Sequence, residues 1–191
     1  MRKILTQEER EKKESRRKLI LGILLAGLMI LSTVGFAFLS GTRSEIKKLK
    51  YNDIEFALLN DGLWHGAGNN FEIVTVYNPK EVENITFNIF NNLNNYYGAT
   101  LYFLQDSESE ATSEIARNLE NYVARIQYAC IKEDCEENLP IKSCENDNII
   151  SIKESNETLI KQENKCVYIQ GKREEIIKLS DAFIFRVFGI V

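Results

Sequence analysis

Hydrophobic and polar positions divide the chain into two regimes. From Leu19 to Leu39 the sequence "LILGILLAGLMILSTVGFAFL" runs 21 residues without a charge. A helix of that length measures about 31 Å at about 1.5 Å per residue, which matches the hydrocarbon core of a bilayer. The pattern therefore predicts an N-terminal transmembrane helix over 19–39. A cleaved signal peptide is the alternative, but its apolar region runs to only about 7–15 residues. Beyond residue 50 the periods are those of a folded domain. "YNDIEFALL" alternates as a half-buried strand, and "FEIVTVY" and "ATLYFLQD" read as strands, the last apolar enough for burial on both faces. "NPKEVENI" predicts a short capped turn of helix, with Asn78 at the cap, Pro79 at the first position and Glu81 closing the box. "ITFNIFNNLNNYYG" starts strand-like and then turns to a short helix or irregular segment.

The strongest helical stripe is in "SESEATSEIARNLENYVARIQYAC". There Ile115, Leu119, Tyr122, Val123, Ile126, Ala129 and Cys130 share one face, and the pattern predicts a helix that ends at Cys130. "NIISIKE", "TLIKQ" and "KCVYIQG" follow as three strands. A final helix carries Ile176, Leu179, Phe183 and Val187, widened by Ile177, Ile184 and Phe188. A helix so apolar must pack on a sheet, or partly on a partner. The order predicts an α+β or α/β domain, a mixed sheet with two main helices packed on it.

Charge gives the anchor a direction. Residues 1–18 hold eight Lys/Arg and four Glu, with Arg16, Arg17 and Lys18 against the apolar run, whereas residues 40–50 carry four basic residues. The denser positive flank places the N-terminus inside and the C-terminal domain outside a single-pass cell membrane. The expected organisation is a basic cytoplasmic tail (1–18), the transmembrane helix (19–39), a polar tether (40–50) and an extracytoplasmic domain (51–191). The chain carries 24 Lys/Arg and 28 Asp/Glu. With the first 39 residues removed, 16 basic and 24 acidic residues remain, a net of −8. That balance argues against nucleic acid as a partner of the outer part. The lipid bilayer is the expected partner of 19–39. Gly22 and Ala26 form one small-xxx-small pair of the kind that lets such helices associate.

Chemical motifs are sparse. The single histidine, His65, lies in "GLWHGAG", read as a glycine-rich turn, and one histidine removes three-histidine zinc sites. No nucleotide-binding glycine loop and no serine nucleophile elbow occur in the sequence. Asp106, Glu108 and Glu110 follow a strand and open a helix, where hard oxygen ligands are a weak candidate for calcium. Their serines, at 107 and 109, miss the Asp-x-Ser-x-Ser spacing of von Willebrand A-type adhesion motifs, so an acidic helix cap is the simpler reading. Asn84 and Asn156 open Asn-x-Thr sequons, and Asn156 lies at an expected turn. No catalytic residue, cofactor or resident metal is assigned.

Four cysteines stand at 130, 135, 144 and 166, and none has CxxC spacing. In an oxidising compartment they predict two disulfides, with three connectivities open. Cys130–Cys135 as a local clasp and Cys144–Cys166 as a staple between strands is the favoured set; a four-cysteine metal site is the rival. "YNPKEVENI", "NLENYVARIQYAC", "CVYIQG" and "DAFIFRVFGI" together resemble uncharacterised archaeal single-pass membrane-anchored proteins. The resemblance implies no activity and assigns no functional residue.

The expected function is a membrane-anchored extracytoplasmic interaction or binding module, with self-association or a protein partner. The rivals are an envelope hydrolase or Asp/Glu metal-dependent enzyme, and a structural envelope protein that forms homo-oligomers. Carboxylates converging in a pocket would point to the enzyme. An apolar patch near Trp64 or on the C-terminal helix would point to a partner.

Overall fold

The computed structural model describes residues 7–40, 46–68, 70–131, 135 and 138–191; within the first helix, side chains are described for residues 11 and 14–32. The chain forms two compact units, 1–45 and 46–191. The first contains α1 (Gln7–Ser40), a helix of 34 residues. Its apolar side chains are exposed all round, from 57% at Leu25 to 75% at Leu31. Among the described residues, no helix is long and apolar enough to cross a membrane. The span expected at 19–39 lies partly outside them, because side chains past residue 32 are not described.

The second unit is a mixed α+β fold with two sheets, where the sequence pattern predicts one. The first sheet is an antiparallel meander in the order β1 (Lys47–Tyr51), β2 (Ile54–Leu58), β3 (Trp64–Ala67), β4 (Glu72–Thr75). β1 begins inside the stretch expected to be tether, and residues 41–45 of that stretch lie outside the described residues. Tyr51 to Leu58 is not one strand. Asn52 and Asp53 both take positive φ, 46° and 66°, and make the two-residue turn between β1 and β2. This is the turn geometry whose twist matches a hairpin, and Asn and Asp tolerate it. Within the sheet, Gly66 lets the Phe56 ring lie against the β3 backbone; a Cβ there would meet the ring at 2.3 Å.

Two short helices, α2 (Pro79–Val82) and α3 (Leu93–Tyr96), lead to the second sheet. Asn78 and Glu81 form the expected capping box on α2. Between these helices, residues 85–91 form no strand beyond a single bridge at Asn88.

The second sheet has the order β6-β5-β7-β9-β8, where β5 is Thr100–Leu104, β6 Arg125–Ala129, β7 Asn148–Glu154, β8 Leu159–Glu163 and β9 Cys166–Gly171. β8 pairs antiparallel with β9, and the other pairs are parallel. β5 and β6 are joined by α4 (Ser109–Leu119), the crossover that parallel pairing requires.

The helix expected to reach Cys130 thus stops at Leu119, and Cys130 follows a strand. The periods explain the difference. Tyr122, Val123 and Ile126 fit a helical stripe, yet they reach the same core when residues 125–129 run beside β5. The parallel ladder supplies the backbone bonds that a longer helix would otherwise make internally.

α5 (Arg173–Val187) buries Ile176, Leu179, Phe183, Ile184 and Val187 together with Ser180 and Asp181. Its neighbours explain its composition. Leu101, Phe103, Ile150, Ile152, Val167 and Ile169 of the five-stranded sheet share one core with Phe56, Trp64 and Ile73 of the four-stranded sheet. Phe185 meets Phe56 edge-on at 5.9 Å between ring centroids, and Phe188 lies 5.3 Å from Phe71. A helix with sheets on both sides must be apolar nearly all round. The apolar residues at Trp64 and on the C-terminal helix are therefore internal, and the patch that would point to a partner is not found at either place.

The sheet edges are guarded in different ways. β1 presents Lys47, Lys48 and Lys50, charges that discourage strand pairing. β8 is bridged by Asn88, whose backbone exchanges bonds with Ile160 and Gln162. β4 is closed by a side chain: Asn118 of α4 accepts from the Val74 N–H and donates to the Val74 carbonyl, both at 2.8 Å. One amide thus mimics a strand's backbone.

Candidate functional site

Parallel sheets bind ligands at the carboxyl ends of their strands, where the strand order reverses. Here that place lies between β5 and β7, and the residues after β5 are Asp106, Ser107 and Glu108. Asp106 pairs with Lys153 of β7 at 2.5 Å. Ser107 Oγ accepts from the Ile152 N–H, and the Glu108 N–H donates to the Ile152 carbonyl. Glu108 is the N-cap of α4, and its Oε2 accepts from the Glu110 and Ala111 N–H groups at 2.7 and 3.1 Å. The helix N-terminus therefore holds the chain's own carboxylate where an anionic ligand would sit. Asp106 is engaged by Lys153, Glu108 by the backbone, and Glu110 is exposed. Among the described residues, no three His, Cys, Asp or Glu side chains gather as a metal site would need.

The face of the five-stranded sheet turned away from α4 and α5 is mixed. Tyr102, Ala129, Ile149 and Cys166 form a small second core, with Leu104, Cys144 and Tyr168 beside it. Lys142 Nζ stands 4.7 Å from the Tyr102 ring centre and 3.4 Å from Asp147. Lys161 lies over Tyr168 at 5.4 Å and bonds Glu163 at 2.7 Å. Each cation is thus shared between a ring face and a carboxylate.

The cysteines come together in two pairs at disulfide distance. Cys130 and Cys135 have Cα atoms 6.2 Å apart, and Cys144 and Cys166 4.9 Å. These are the pairs favoured from the spacing. Cys144–Cys166 ties the connection before β7 to the first residue of β9, and the Tyr168 hydroxyl lies 3.5 Å from Cys144 Sγ. The acidic residues 133, 134, 136 and 137 of the clasped segment lie outside the described residues. Asn84 follows α2, Asn156 lies between β7 and β8, and both are exposed.

His65 lies in β3 and not in a free turn. Its Nε2 is 2.8 Å from Asp61 Oδ2, a partner the sequence pattern did not assign. Asp61 also accepts from the Leu63 N–H, and these bonds, the backbone one first, hold its carboxyl below the usual range.

The most unusual titratable residues were missed in the sequence reading. Glu114 of α4 and Asp181 of α5 are 5% and 0% exposed. Asp181 Oδ2 accepts from the Tyr77 N–H at 2.8 Å, and Glu114 Oε2 accepts from Arg117 at 2.5 Å. Glu114 Oε1 and Asp181 Oδ1 are buried without a hydrogen-bond partner. Burial, and then the Glu114 charge, push Asp181 well above the usual carboxylate range. The available signal was positional: Asp181 falls between Ile177 and Ile184 on the apolar stripe. Carboxylates do converge here, but closed from solvent, so they form no open catalytic cleft.

Comparison with family models, with curated proteins and with solved structures finds no match to this chain.

Proposed function

We propose that the chain is a membrane-anchored extracytoplasmic binding or interaction module of the cell envelope, with its N-terminus inside. One observation carries the reading. Residues 19–32 of α1 are uncharged and exposed on every side, and apolar surface of that extent is unfavourable in water and favourable in lipid. In the sequence the uncharged run continues to Leu39, which makes it long enough to span. A helix apolar all round, with no face set apart for a protein core, is what lipid contact asks for.

Two features of the second unit fit this reading. Its cysteines pair at disulfide distance, as suits an oxidising compartment. Its switch-point position is occupied by its own Glu108, Asp106 and Lys153, which favours binding through surfaces over turnover in a cleft. The lipid bilayer is the partner of the anchor, and a protein partner or a second copy is the partner of the domain. Protease added to intact cells tests the arrangement. The account expects residues 46–191 to be digested and the first 18 to be protected; protection of both segments would overturn it.

A further inference from the structure

Two atoms are exceptional within the second unit. Glu114 Oε1 and Asp181 Oδ1 are the buried side-chain oxygens left without a partner among the described residues. They belong to carboxyls on helices that pack together, α4 and α5, and the Glu114 charge acts on Asp181. Two bare carboxylates would repel, and each buried orphan would bear a desolvation cost. One hydrogen placed between them satisfies both. The surrounding bonds already fit that arrangement. Arg117 holds the far oxygen of Glu114 and also donates to the Val74 carbonyl. The Tyr77 N–H holds the far oxygen of Asp181.

We infer that Asp181 retains its proton and donates it to Glu114, so that a proton-dependent latch joins α4, α5 and the end of the four-stranded sheet. The bonded path runs from the Tyr77 N–H through Asp181 and Glu114 to Arg117 and back to Val74. The latch is distinct from the proposed anchoring and does not depend on which side of a membrane the domain occupies. The other charged or titratable groups nearby are few. α4 contributes Arg117. α5 contributes Lys178, whose Nζ lies 5.9 Å from the Tyr77 ring. The strand-to-helix corner contributes Tyr77, and α2 contributes Lys80 and Glu81, the latter engaged by the Asn78 N–H.

The direction of the pH effect follows. Asp181 is raised in the folded protein to about 9 from an ordinary 3.8. Folding therefore takes up a proton at intermediate pH. The contribution is fully present below the ordinary value and is lost as pH rises through the folded one.

The test compares wild type with Asp181→Asn, using the full chain in detergent and thermal or denaturant unfolding from pH 5 to 8. Asparagine keeps an acceptor for Tyr77 and supplies a permanent donor to Glu114. In wild type the latch contributes about a tenfold rise in the unfolding equilibrium constant per pH unit, and Asp181→Asn removes that component. An unchanged slope in the variant overturns the latch. Carbon-13 NMR of the wild-type aspartate carboxyls reads the same claim without a mutation. One aspartate signal stays protonated at pH 7 if the inference holds, whereas all titrating in the ordinary range contradicts it.

Discussion

Asn118 carries more of the fold than its type suggests. Its amide donates to and accepts from Val74, closing the edge of β4, and it donates to the Glu114 carbonyl of its own helix. Asn118→Ala leaves the Val74 N–H without its partner and should cost about 1–3 kcal/mol, read as a lower denaturant midpoint with an unchanged slope. Nothing in the sequence marks Asn118 among 18 asparagines, because its partners lie 44 positions away. Asp181 was hidden differently: a single carboxylate in an apolar stripe reads as a tolerated exception until Glu114 is seen beside it. Asn52 and Asp53 were legible in principle, since both residue types accept positive φ. The surrounding alternation of apolar side chains disguised the turn as strand. Asn78 and Glu81, by contrast, were readable because a capping box is a local device.

At the level of elements, local pattern fixed existence better than extent. β7, β8, β9 and α5 stand where alternation and helical spacing put them. The boundary between α4 and β6 did not, because Tyr122, Val123 and Ile126 reach the core under either period. Division into two sheets was not legible at all, since pairing is a non-local choice and both sheets feed one core. The cysteine pairing was legible because one pair is close in sequence and the other flanks predicted strands. Cys144–Cys166 closes a separation of 22 residues and holds β9 to the connection before β7. Replacing both by serine should lower stability by about 3 kcal/mol on the chain-entropy estimate, with loss measured by thermal unfolding against the oxidised wild type. A midpoint unchanged by the double replacement would show that the staple adds nothing to the fold.

For the whole molecule, two units of opposite character share one chain: a helix with its apolar surface outward, and a domain with its apolar surface inward between two sheets. The same contrast accounts for what sequence could say about function. Composition and hydropathy speak to the local pattern of each unit, whereas surface groups such as Tyr102–Lys142 and Tyr168–Lys161 appear only once the chain is folded. The central claim is that the domain is anchored and faces an oxidising space. Non-reducing peptide mapping, by mass spectrometry, of the protein recovered from alkali-washed membranes tests it most directly. The account predicts protein in the washed membrane with Cys130 linked to Cys135 and Cys144 to Cys166; recovery in the wash, or four free thiols, would contradict it.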